Sequence, residues 1–243
     1  MCRVRLVAVA ATVALSATGE LKAQSLRVSP VTIDLPVSAQ SSSLTIGNDS
    51  AKTVTVQARV FRWTQRQGED VLEKTSEVVV SPPILTLAQG SDNILRVVRT
   101  ASTPVVGEET YRILIDEVPS REKLQTQGVA IVLRQSLPVF FAGLDVKAAD
   151  INWNIARHQN MMVVTATNTG QKRFKVSQLR IYTGADRDLA SIKGLAGYVL
   201  GGQTKTWELP LSDKEITPGA KLNIQTVSDS GPINASVIVG KDG

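Results

Sequence analysis

Residues 53–63 read TVTVQARVFRW. Val54, Val56, Ala58, Val60 and Arg62 fall on one side of an extended chain, and Thr55, Gln57, Arg59 and Phe61 fall on the other. That period of two describes a half-buried β-strand and not a helix. The same pattern continues on both sides. Upstream, 44–47 is short and apolar and Asn48-Asp49-Ser50 follows it as a turn. Downstream, Gln67-Gly68-Glu69-Asp70 is a turn, and the run Val78-Val79-Val80 is stopped by Pro82-Pro83, which cannot continue a central strand. Leu85-Thr86-Leu87, 93–99 (NILRVVR), 110–118 (TYRILIDEV) and 128–141 (GVAIVLRQSLPVFF) complete a first set, closed by Gly143.

A second set starts beyond Leu144, at 151–155, 161–168, 174–182, 198–199, 205–209, 221–227 and 236–239. Asn168-Thr169-Gly170, Gly201-Gly202 and Pro218-Gly219 punctuate it. Residues 186–193 read as a helical turn, and no internal repeat is evident. Short strands at this spacing are the pattern of an immunoglobulin-like sandwich, and the pattern occurs twice. The sequence therefore predicts an all-β chain of two immunoglobulin-like β-sandwich domains, 24–143 and 144–243, pivoting near Gly143. A closed barrel is the alternative architecture.

Composition narrows the function. The 243 residues carry a formal net charge of +5, too mild and dispersed for nucleic acid to be the partner. There is one cysteine, Cys2, and one histidine, His158. Cys/His zinc sites, CxxC redox pairs and disulfide frameworks are excluded, and no metal or cofactor is implied. Residues 1–23 read as a secretory signal peptide. Arg3 and Arg5 precede the apolar run 6–17, which is too short to span a bilayer, and cleavage falls after Ala23.

No enzyme signature survives scrutiny. Asp116-Glu117 is a tight carboxylate pair, but neighbours on a strand point to opposite faces and cannot form an acid/base dyad. His158 lies in a turn-like ARHQN stretch. Ser41-Ser42-Ser43 lacks nucleophile-elbow glycines and reads as a loop. Gly201-Gly202 lacks the strand–helix setting of a phosphate cradle.

Two features carry more information. In 128–138, Val129, Ile131, Leu133 and Gln135 share one face while Ala130, Val132 and Arg134 share the other. Such a strand is either a core strand or an edge strand exposing a row of aliphatics to a partner strand. Arg112 sits inside an apolar strand. It is either paired with Asp116 or Glu117, or it is a cation in a cleft that binds a carboxylate through two parallel hydrogen bonds. Arg96 and Arg134 interrupt apolar strands in the same way.

The stretches 81–87 SPPILTL, 93–97 NILRV, 111–119 YRILIDEVP and 128–143 GVAIVLRQSLPVFFAG resemble the periplasmic pilus-assembly chaperones of the chaperone–usher pathway, the PapD-like superfamily. The resemblance covers the first domain and, more weakly, the second, through Asn168-Thr169-Gly170 and 198–200. It implies two immunoglobulin-like domains in an L with an interdomain cleft. It also implies donor-strand complementation of pilin, fimbrial or coat subunits and their delivery to an outer-membrane usher. The donor row would be Val129, Ile131 and Leu133, extended by Leu137. The best-known branch holds the subunit's C-terminal carboxylate with an Arg and a Lys. Pro30 and Pro138 stand at those positions here, which is similar to the archaic, Csu-type branch. The carboxylate anchor then falls to Arg112, with Arg96 and Arg134 as helpers. No small-molecule substrate is implied, and self-association through the donor edge is a further expectation. Competing readings are an exported two-domain adhesion or carbohydrate-binding module, needing an exposed aromatic platform or an acidic loop, and a secreted hydrolase that depends on His158.

Overall fold

A computed structural model describes residues 26–119, 132–211 and 216–240. The export segment 1–23 and the donor positions Val129 and Ile131 lie outside the described residues. Leu26–Ser29 (β1) and Ile33–Leu35 (β2) are two pieces of one extended segment that changes sheets around Pro30. Ser41–Asn48 (β3) and Val54–Arg66 (β4) follow, and β4 turns back through Gly68 into Glu69–Lys74 (β5). Val78–Ser81 (β6) and Ile84–Leu87 (β7) lie on either side of Pro82-Pro83 and also belong to different sheets. A proline offers no main-chain donor, so the ladder ends there and the chain crosses over. Asp92–Arg99 (β8), Glu108–Val118 (β9) and Arg134–Ala142 (β10) complete this half.

One sheet has the order β1-β3-β8-β6 and the other β2-β10-β9-β4-β5, with β7 also paired to β4. The β2–β10 pairing is parallel. Leu44, Ile46, Val56, Leu95, Val97, Tyr111, Ile113 and Ile115 fill the space between the two sheets.

The second half repeats the plan with Ile151–His158 (β11), Met161–Asn168 (β12), Phe174–Thr183 (β13), Asp188–Val199 (β14), Thr204–Pro210 (β15), Lys221–Ser228 (β16) and Gly231–Ile238 (β17). Its sheets run β11-β12-β15 and β14-β13-β16-β17 around a separate core. The described residues contain no helix. The helical turn expected at 186–193 is the start of β14, whose residues pair with β13 through three register shifts. The serines at 41–43 are not a loop: they begin β3 and pair with Val98, Val97 and Arg96 of β8.

Each half has a strand that ends on one buried asparagine, Asn48 closing β3 and Asn168 closing β12. Asn48 donates Nδ2 to the carbonyls of Lys52 and Leu87 (2.8 and 3.0 Å) and accepts from the Ser50 amide at 3.0 Å. Asn168 donates Nδ2 to the carbonyls of Lys172 and Val199 (2.8 and 3.2 Å) and accepts from the Gly170 amide at 3.0 Å. An internal correspondence therefore exists, NDSAK at 48–52 and NTGQK at 168–172, where none is evident from the hydrophobic pattern.

The halves meet along a seam, and β4 shows why. Its even positions Val54, Val56 and Ala58 are buried in the first core, whereas further along the odd positions Trp63 and Gln65 are buried. The strand shows its other face to the second half. Trp63 and Phe140 pack with Tyr198 and Leu200 there. Gln65 donates Nε2 to the Tyr198 carbonyl at 2.7 Å and accepts the Leu200 amide at 3.0 Å, satisfying two buried main-chain groups. Gly68, at φ +81°, accepts the Thr206 amide at 3.1 Å, and a Cβ there would lie 2.5 Å from the Thr206 hydroxyl. Only glycine suits both the turn and the contact.

Arg173 is the ionic part of the seam. Its guanidinium reaches Glu108 at 2.5 Å, also pairs with Asp34, and lies 3.6 Å from the Phe140 ring centroid. Its amide bonds Glu108 at 2.8 Å. Burial pushes the Glu108 carboxyl up, and Arg173 pulls it back only in part, leaving it above the usual carboxylate range.

Candidate functional site

The ladder between β9 and β10 fixes which side chains face the core and which face away. Pro138 stands opposite Arg112, Ser136 opposite Leu114, and Arg134 opposite Asp116. Opposed residues share a face. Arg112, Leu114, Asp116, Arg134 and Pro138 therefore lie on the outer face of the sheet, and Leu133, Gln135 and Leu137 lie on the inner one. The other edge of β10 meets β2 only at Val139, Phe140 and Phe141. From Arg134 to Pro138 that edge pairs with no strand among the described residues. Pro138 marks the changeover, since pairing with β2 begins at the next residue.

The inner row passes out of its own sandwich. Leu137 is 3% exposed and belongs to the first core. Gln135 is half-buried and donates to the Leu26 carbonyl at 2.6 Å. Leu133 is 37% exposed, though its carbonyl still accepts the Glu117 amide at 3.0 Å. Leu137 is thus committed to its own core, and the part of the row open to a partner starts at Leu133. Val132, on the opposite face, is also exposed.

The three arginines are not brought together. Arg96 is exposed on β8, in the opposite sheet. Arg134 is exposed and paired with Asp116, which Arg59 also holds at 2.5 Å. Burial pushes the Asp116 carboxyl up, but Arg134 and Arg59 outweigh it and hold it below the usual range. Arg112 is neither paired with Asp116 nor with Glu117. Its guanidinium carbon lies 3.7 Å from the Trp63 ring centroid and 5.8 Å from that of Tyr198. Burial, with no hydrogen-bonded carboxylate, lowers its pKa from the ordinary arginine value. Among the described residues Arg112 is the partly buried arginine that lacks both a hydrogen bond and an ion pair. By contrast, Arg99 donates to Glu109 at 2.7 and 2.8 Å and to two carbonyls at 2.7 Å.

The site residues that hydrophobic patterning misses are Trp63 and Tyr198, which flank Arg112. They come from different halves of the chain, and nothing local in sequence joins them. The exposed aromatic platform needed by the binding-module reading is absent among the described residues. Trp153 and Trp207 stack with centroids 6.1 Å apart against the second core and offer no exposed platform. Trp207 donates its indole N–H to Ala196 at 2.9 Å. His158 is exposed at the end of β11. No cluster of three metal-ligating side chains occurs among the described residues.

Residues 25–143 match the family described as pili and flagellar-assembly chaperones, PapD N-terminal domain. The uncharacterized fimbrial chaperone YcbF of Escherichia coli (strain K12) is 27% identical over 133 residues, 54% of this chain and 56% of that protein. The chain thus spans little more than half the length of that curated relative. Among solved structures, the CsuC–CsuE chaperone–tip adhesion subunit pre-assembly complex, from archaic chaperone-usher Csu pili of Acinetobacter baumannii, aligns with a TM-score of 0.65. It is 21% identical over 90% of this chain and 100% of that one. The CupB2 chaperone of Pseudomonas aeruginosa aligns at 0.56, with 19% identity over 86% and 98% of the two chains. The SafA pilin complex with the SafB chaperone of Salmonella enterica aligns at 0.59, with 18% identity over 88% and 97%. At these identities the likeness is one of fold, with two immunoglobulin-like sandwiches. Chaperones of this kind are periplasmic and non-enzymatic. Residues 25–143 thus belong to the family of pili and flagellar-assembly chaperones, PapD N-terminal domain, and the chain as a whole has the two-sandwich fold of the solved chaperones it aligns with.

Proposed function

We propose that this protein is exported through residues 1–23 to the periplasm. There it captures pilin, fimbrial or coat subunits by donor-strand complementation and hands them to an outer-membrane usher. The observation that carries the reading is the open β10 edge, whose inner row leaves its own core at Leu133 while the opposite end of the edge reaches Arg112. A partner strand along this edge gains main-chain hydrogen bonds, and the aliphatic row of Val129, Ile131 and Leu133 fills its missing core. Each fully buried aliphatic contributes about 1.5–3 kcal/mol before ordering costs. A strand that follows β10 and ends at Arg112 runs parallel to β10. Its terminal carboxylate meets the Arg112 guanidinium, partly buried and stacked on Trp63, with no ion pair of its own among the described residues.

In this reading Arg112 is the anchor, Arg134 contributes field from its pair with Asp116, and Arg96 is too remote to help. Proline at positions 30 and 138 supports the archaic, Csu-type branch. The same edge, unoccupied, is where self-association would occur.

The test is co-purification from periplasm with the host's fimbrial subunits co-expressed, comparing wild type, Arg112→Ala and Leu133→Glu. Wild type retains a β-rich subunit, and both variants, folded by circular dichroism, lose it. Folded variants that keep the same subunit would overturn the edge and anchor assignments.

A further inference from the structure

Arg112 lies in an angled corner made by two aromatic rings. The Trp63 and Tyr198 ring centroids are 5.7 Å apart and their planes stand at 89°. The guanidinium lies 3.7 Å from the Trp63 centroid, a stacking distance, with Tyr198 on a second side at 5.8 Å. Both rings are buried, Trp63 fully and Tyr198 to 4% exposure. Each is also fixed through its main chain. The Thr110 hydroxyl donates to the Trp63 carbonyl at 2.5 Å, and Gln65 holds the Tyr198 carbonyl at 2.7 Å. Phe140 closes the cluster, 6.0 Å from Trp63 and 5.7 Å from Tyr198.

A guanidinium donates only in its own plane. Stacking on a ring spends a face and leaves the edge available, and the edge is what a carboxylate engages with two parallel bonds. A lysine in the same corner has neither the plane nor the fork.

We propose that Trp63 and Tyr198 are positioning residues that fix the plane of the Arg112 guanidinium, so that the carboxylate site is completed by the second domain. This inference rests on the reading of Arg112 as the carboxylate anchor. The first domain supplies the cation and its stacking surface, and β14 supplies the second wall. The seam thereby takes part in recognition, and recognition of a chain end depends on the two halves being docked.

The experiment uses the full chain and a six-residue acetylated peptide of alternating threonine and valine, made with either a free carboxylate or a carboxamide end. NMR titration gives the ratio of the two affinities for wild type, Trp63→Phe, Trp63→Leu, Tyr198→Leu and Arg112→Lys. In parallel, the Arg112 side-chain resonances report stacking through their upfield ring-current displacement. Wild type prefers the carboxylate by about tenfold, the worth of one charge-assisted bidentate contact above its amide counterpart. Trp63→Phe keeps the preference. Trp63→Leu, Tyr198→Leu and Arg112→Lys lose it, and in the two leucine variants the Arg112 resonances move downfield. A general structural defect would weaken both peptides equally and leave the ratio intact.

Equal binding of both peptides by wild type would overturn the anchor itself. A wild-type preference that Arg112→Lys abolishes and folded Tyr198→Leu retains would overturn the bracket and leave the anchor standing. If Trp63→Leu does not fold, Tyr198→Leu alone decides.

Discussion

Replacing Arg173 by methionine removes the guanidinium that spans the seam while keeping much of the side chain's length. Glu108, whose side chain has no exposed surface, loses its cationic partner. The stranded carboxyl has two options at pH 7. It stays ionised at the cost of a broken buried pair, about 3–5 kcal/mol. Or it takes a proton, which costs about 1.36 kcal/mol for each pH unit above the ordinary glutamate value of about 4.3, hence about 3.7 kcal/mol at pH 7. The cheaper route sets the ceiling, so the loss at pH 7 is about 3.5 kcal/mol. Asp34 is half exposed and is resolvated by water, adding little.

The pH dependence follows from the sign of the Glu108 shift. Its folded-state pKa lies above the unfolded one and rises further without Arg173. The protonated group therefore costs nothing below the unfolded value, and stability is lost as pH rises toward the folded value. Between pH 5 and pH 7 the loss grows by about 1.4 kcal/mol per unit, from about 1 kcal/mol at pH 5. Urea denaturation of wild type, Arg173→Met and the Arg173→Met/Glu108→Gln double variant across this range measures it. The double variant lacks a titrating carboxyl, so it shows no added slope and is more stable than Arg173→Met at pH 7. A flat profile for Arg173→Met, or a double variant no more stable than the single one, would show that Glu108 does not depend on Arg173 for its burial.

Asn48→Ala strands the Leu87 carbonyl and frees the Ser50 turn, and urea denaturation should show a loss of about 2–4 kcal/mol, since each buried group left unsatisfied costs about 1–3 kcal/mol. Asn48→Asp fares no better, because a carboxylate cannot donate to that carbonyl. Asp116→Asn, by contrast, releases two exposed arginines and should cost no more than about 1 kcal/mol at low salt, shrinking as salt is added. The Asp116 carboxyl is held below its usual range, so its contribution is present at neutral pH and is lost as pH falls through the folded-state value.

The strands that read clearly in the sequence are those whose burial is set by one core. Residues 53–60 alternate because one face of β4 meets the first core and the other meets solvent. The sequence is much less informative where main-chain pairing or a distant segment decides. Glu69–Lys74 has no apolar alternation and becomes a strand because Gly68 returns the chain along β4. Residues 186–193 have leucine and charge at helix-compatible spacing, yet β13 captures them edge-on. At 41–43 the serines carry no side-chain pattern at all and are held by β8. Arg112 stands out as a cation within an apolar run, but its surroundings do not, because Tyr198 arrives from the other half of the chain. Arg173 goes unnoticed for the same reason: its carboxylate partners Asp34 and Glu108 lie in the first half.

The reversal of buried face along β4 also limits how such proteins can be recombined. A chimera joined at residue 143 looks modular, since no strand crosses that point. Yet Trp63, Gln65 and Gly68 belong covalently to the first half while their partners Tyr198, Leu200 and Thr206 belong to the second. A second domain grafted from a relative would meet a strand end shaped for someone else's surface. The natural unit of exchange is therefore discontinuous: the second half together with the far end of the β4–β5 hairpin.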